Sequence, residues 1–137
     1  MNNEVKIPTS EDFIFNSDFK YYFLMADDEM RIEIPEEHFS AENIGHSLTM
    51  LDDYKAKQAN IVNYVLNSEK GIFPYFSQKY NYSKEDTIIR LKDPIIICKG
   101  LSGELFYLFN DLGNYMITVN YAYINGVLNL GQIIVKS

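Results

Sequence analysis

Residues 115–135 read YMITVNYAYINGVLNLGQIIV, two β-prone runs separated by Asn125-Gly126. Asn-Gly between two apolar runs is a strong hairpin signal, because both residues tolerate the positive φ of a type I′ turn. Upstream, Ile95 to Cys98 (IIIC) and Leu105 to Phe109 (LFYLF) are further strand candidates, with connections at Ser102-Gly103 and Asp111 to Asn114. These four runs predict an antiparallel meander forming the C-terminal third of the chain. Leu105 to Phe109 is apolar on both faces, so that strand is either covered twice or lies at a subunit interface.

Working back toward the N-terminus, residues 72–82 (IFPYFSQKYNY) carry five aromatic rings, and Pro74 forbids a regular helix through their start. Ser83-Lys84-Glu85-Asp86 resembles a short helix start or a polar turn. Before that, Ile44, Leu48, Leu51, Val62 and Leu66 keep helical spacing, with Ser40 as N-cap and Gly71 as the C-terminal stop. Leu48, Leu51, Ala59, Val62 and Leu66 form the predicted buried stripe, and Asp52-Asp53 marks a bend or a new start within the helix. Phe19 to Met25 (FKYYFLM) and Met30 to Ile34 (MRIEI) read as a β-hairpin around the polar cluster Ala26 to Glu29, ended by Pro35. The first eleven residues are polar and aperiodic, which predicts a frayed end. The expected architecture is therefore α+β within a single domain, residues 1–137. It has an N-terminal β-hairpin, one long helix with a break at most, and a C-terminal four-stranded antiparallel meander with the helix packed on one face.

Length and composition agree with this reading. A chain of 137 residues buries roughly two thirds of its unfolded surface, enough for one core. One cysteine excludes an internal disulfide, and no apolar run approaches the ~20 residues of a membrane span. No signal sequence opens the chain, so the expected compartment is the cytoplasm. The net charge of −7 is unevenly spread: fourteen acids face five bases up to Glu69, and five acids face seven bases from Lys70 onward. An acidic front half argues against nucleic acid, whose phosphates demand cations, and favours basic partners.

Catalytic and metal-binding patterns are weak. His38, Glu42 and His46 would share a helix face at i, i+4 and i+8, but Pro35 and Ser40 place His38 before the helix. Cys98 ends an apolar run, as a buried thiol does, with no histidine near it in sequence. Gly100-Leu101-Ser102-Gly103-Glu104 fails the nucleophile-elbow pattern, since Glu104 stands where the second glycine belongs. The acidic pairs Asp27-Asp28, Glu36-Glu37, Asp52-Asp53 and Glu85-Asp86 lack the spacing of a calcium loop. The sequence thus predicts no catalytic residue, no metal and no cofactor.

The stretch LTMLDDYKAKQANIVNYVL (Leu48 to Leu66) and the final hairpin NGVLNLGQIIVKS carry a resemblance. In this order of elements the chain resembles small bacterial immunity-protein-like domains of polymorphic toxin systems. These share an N-terminal strand pair, a helix rich in Leu and Ala, and a C-terminal antiparallel sheet. The resemblance implies a non-catalytic domain that neutralises a cognate toxin by binding it, many such toxins being basic nucleases. A structural or scaffold domain, homodimeric through the aromatic sheet, is the alternative, and a small enzyme or ligand-binding domain is a third. For protein binding, the residues singled out are the carboxylates Asp27, Asp28, Asp52 and Asp53 with the neighbouring rings Tyr21, Tyr22 and Tyr54. Rings would anchor the partner and charges would steer it.

Overall fold

Alternation of side chains about each strand organises this chain around a single sheet. In a computed structural model, which describes residues 7–26, 30–67, 81–109 and 115–136, seven strands lie in chain order across the sheet. They are β1 (Ile14–Asn16), β2 (Tyr21–Met25), β3 (Arg31–Pro35), β4 (Ile95–Cys98), β5 (Ser102–Phe109), β6 (Tyr115–Ile124) and β7 (Val127–Lys136). Every neighbouring pair is antiparallel except β3 and β4, which run parallel with Ile32 opposite Ile96. Helices α1 (Ala41–Ala56), α2 (Gln58–Asn67) and α3 (Lys84–Arg90) lie in the connection between those two strands. A parallel pair needs such a long crossover, because a tight turn can only return a strand antiparallel.

This corrects the expected architecture. The four C-terminal strands are not a separate meander beside an N-terminal hairpin, since both halves join edge to edge along β3 and β4. Ile32, Ile96, Leu105 and Val119 are fully buried in one continuous row of aliphatic residues across β3 to β6. Covering that row from both halves removes more apolar surface from water than two small sheets would. The segment before β2 also differs from expectation: Ser10–Asp12 forms a capped 3-10 turn, Phe13 is buried, and Ile14–Asn16 pairs with β2.

The single long helix is likewise corrected to two, with α3 as a third. Ser40 caps α1 as its position predicts, its side chain accepting from the Asn43 amide. Asp52 and Asp53 lie within α1, and the break comes at Lys57, whose φ of −117° and ψ of 21° leave the helical region. The break leaves the buried side nearly in phase, Tyr54 and Ile61 lying two helical turns apart. Ile61, Val62, Val65 and Leu66 of α2 are buried with Ile44, Met50, Leu51 and Tyr54 of α1, whereas Ala59 is exposed and Leu48 half-buried. Ser83 and Asp86 close a capping box at the start of α3. Most of the aromatic stretch 72–82, Gly71, and the connections at Asp27-Asp28-Glu29 and Asp111 to Asn114 lie outside the described residues.

The helices cover one face of the sheet, α1 over β3 and β4 and α2 over β7. Asn125 and Gly126 adopt φ of 53° and 77° between β6 and β7, as the Asn-Gly turn requires. The turn joining β4 to β5 is centred on Gly100, at φ 117°, and Ser102-Gly103 belongs to β5 instead. Among the described residues, no helix is long and apolar enough to cross a membrane.

A candidate protein-binding surface

Because strand side chains alternate, the residues between the buried ones must point away from the helices. On β3, Ile32 and Ile34 face α1 while Arg31 and Glu33 face the other way, an i, i+2 pair on one side. Arg31 Nε lies 2.9 Å from Glu33 Oε2, and its Nη2 donates to the Tyr21 hydroxyl at 2.7 Å. The guanidinium also sits 4.2 Å from the centre of the Phe23 ring, a cation–π distance. Burial pushes the Glu33 carboxyl above its ordinary range, and the Arg31 charge opposes that shift.

Register extends this cluster across the sheet. Glu33 stands between Phe23 on β2 and Ile97 on β4, and Ile97 stands opposite Glu104 on β5. One step along, Ile95, Phe106, Thr118 and Ile134 form a second row over four strands. Met25, Leu108, Ile124 and Val127 of the same face are more than 45% exposed. Lys99 and Glu104 form a further ion pair of this face at 2.7 Å, and Lys136, opposite Met116, adds a cation at its β7 end.

The residues singled out from sequence are separated by this geometry. Tyr21 belongs to the cluster just described. Tyr22 points to the helical side, where its ring stacks on Phe39 at 3.8 Å. Tyr54 is corrected from a surface anchor to a core residue: it is 2% exposed, and its hydroxyl lies 3.4 Å from that of Tyr107. Asp53 is half-buried and accepts from the Tyr123 hydroxyl, so it is a structural carboxylate. Asp52 is exposed on α1, on the helical side of the sheet. Asp27 and Asp28 lie outside the described residues.

The other candidates follow their surroundings. His46 sits 3.6 Å from Glu42 on α1, while His38 lies in the preceding 3-10 turn beside Glu37. Cys98 is fully buried, its thiol donating to the carbonyl of Gly100 at 3.4 Å, and burial pushes its pKa up. An unreactive thiol is what such a site produces. Among the described residues, no group of three His, Cys, Asp or Glu side chains could hold a metal ion.

Sequence reasoning missed Arg31, Phe23 and Glu33. The signal was present in MRIEI, where alternation puts the two charges on one side, but nothing local says that rings from β2 surround them. Comparison of the chain with protein-family models, with curated proteins and with solved structures finds no match.

Proposed function

We propose that this protein acts by binding another protein through the helix-free face of its sheet, as a non-catalytic inhibitor of the immunity type directed at a basic toxin. The observation that carries this reading is the Arg31–Tyr21–Phe23–Glu33 cluster set among Ile97, Ile95 and Phe106. Arg, Tyr and other aromatics dominate binding energy where protein surfaces meet, and preorganised side chains lose little freedom on association. The net charge of −7 supports a basic partner, which it would draw in at long range. Asp52, on the other side of the sheet, contributes to that steering without touching the partner.

The test is co-expression with each neighbouring reading frame that is toxic by itself. The wild-type chain should restore growth, and the double variant Arg31→Ala/Phe106→Asp should not, with its circular dichroism unchanged. Growth restored equally by both proteins would remove the sheet face from the binding site. Absence of any toxic neighbour would remove the immunity reading.

One observation favours a second reading, a homodimeric scaffold. Arg31 pairs with Glu33 and Lys99 with Glu104, so two copies of this face can meet without the repulsion that two chains of charge −7 otherwise feel. Sedimentation showing a concentration-dependent doubling of mass, abolished by Phe106→Asp, would select it.

A further inference from the structure

Strand β7 is an edge of the sheet, with β6 on one side and no described strand on the other. The two-residue turn sets Ile124 opposite Val127, and the pair flanking such a turn exchanges both of its backbone hydrogen bonds. Alternation along the ladder then points the amide and carbonyl of Leu128, and again of Leu130, away from β6. Their side chains lie toward α2. There Lys57, Asn60, Ile61 and Tyr64 on one side and Leu128 and Leu130 on the other line a groove of about 290 Å³.

The groove has a built end. Val119 pairs with Ile133 and Tyr121 with Leu130, so Gly131 and Gln132 together oppose Asn120 in a β-bulge. The Tyr64 hydroxyl donates to the Gly131 carbonyl at 2.7 Å. A bulge and a capping phenol are what blunt an exposed edge. They act on the second half of β7 and, among the described residues, leave Val127–Leu130 open.

We infer that this groove accepts an extended segment of a partner protein as an added strand beside Val127–Leu130, with a carboxylate side chain of that segment at Lys57. Amide and carbonyl groups repeating at strand spacing are matched by another extended backbone. The groove volume lies at the lower end of small-molecule sites, which suits side chains better than a cofactor. Lys57 is the charged residue among the groove-lining groups, and it stands at the junction of α1 and α2. Its contact with Asp53 is long, at 4.0 Å, and that carboxylate already accepts from Tyr123. A second copy of the chain fits less well, because β7 reads VLNLGQIIVK and brings no acid to meet Lys57. The inference rests on the protein-binding reading above but uses a different surface.

Two capped pentapeptides, VEVTV and VKVTV, titrated into the isotopically labelled full chain, test it by nuclear magnetic resonance. VEVTV should shift the amide signals of Leu128 to Leu130 and of Ile61 saturably, and VKVTV should bind about fivefold more weakly. Lys57→Glu should reverse that preference, while Phe106→Asp on the sheet face should leave both titrations unchanged. The inference is overturned if millimolar VEVTV causes no saturable shift at those amides, or if Lys57→Glu leaves the preference as it was. It is overturned equally if the β7 signals respond only to protein concentration, with mass doubling, since a second copy would then occupy the edge. If the peptides fail while Arg31→Ala/Phe106→Asp still abolishes protection from a toxin, the sheet-face reading stands without the groove.

Discussion

The Tyr123 hydroxyl on β6 donates to Asp53 Oδ2 on α1 at 2.5 Å, tying the last turn of the helix to the sheet across seventy residues of sequence. The ring also rests beside Met50, its hydroxyl 3.7 Å from the sulfur. A carboxylate hydrogen bond of this length is charge-assisted. It explains why Asp53, unlike Asp52, is half-buried. Removing the donor in Tyr123→Phe leaves Asp53 without it, and should lower stability by about 1–2 kcal/mol. Urea denaturation measures the loss, and an unchanged midpoint would mean that water replaces the phenol without cost.

Gly103 should tolerate no side chain. A Cβ there would lie 2.0 Å from the Ile97 carbonyl oxygen and 2.7 Å from the Tyr121 hydroxyl, both held in the sheet interior. Tyr121 is the cross-strand partner of Gly103, and its ring occupies the space that a side chain would need. Gly103→Ala should cost about 1–3 kcal/mol or more by forcing these groups apart. Gly126→Ala, where nothing lies within 4 Å, should cost only what its positive φ imposes, about 1 kcal/mol. Equal midpoints for the two variants would contradict the close approach at Gly103.

Alkaline pH should unfold the protein. Burial raises the pKa of Tyr54, Tyr107 and Tyr121 above the ordinary phenol value, because a phenolate cannot be solvated in the core. The folded state keeps these protons at a pH where the unfolded chain releases them. The stability they contribute is therefore complete below about pH 10 and falls as pH rises toward the folded values, by about 1.4 kcal/mol per pH unit for each phenol. Denaturant midpoints taken from pH 8 upward should decline steeply above pH 10. Tyr107→Phe should make that decline shallower, and a slope identical to the wild type's would show that Tyr107 ionises freely in the folded state.

The face that α1 and α2 turn to the sheet predicts a contrast within one stretch of sequence. Leu51 is 6% exposed, so Leu51→Ala should cost about 2–4 kcal/mol. Ala59, which the stripe predicted from sequence would bury, is exposed, so Ala59→Gln should change stability by less than about 0.5 kcal/mol. A large loss at Ala59 would mean that this side of α2 is covered in solution.

What could be read from the sequence is what neighbouring residues impose on each other. Asn125-Gly126 admits positive φ, Ser40 offers an oxygen to the open amides of α1, and the alternation of MRIEI turns Ile32 and Ile34 to one side. These are short-range steric and hydrogen-bonding facts, and they yield the same answer in any fold. The tertiary structure alone decided that β3 pairs in parallel with β4, because strand edges carry similar hydrogen-bonding groups whatever their side chains. Which edges meet depends on the apolar area buried when Ile32 and Ile96 come together. The same non-local burial took Tyr54 into the core and left Asp52 outside. It also surrounded Arg31 with Tyr21 and Phe23, rings about ten residues away, at a site that periodicity marks only as the outer side of a strand.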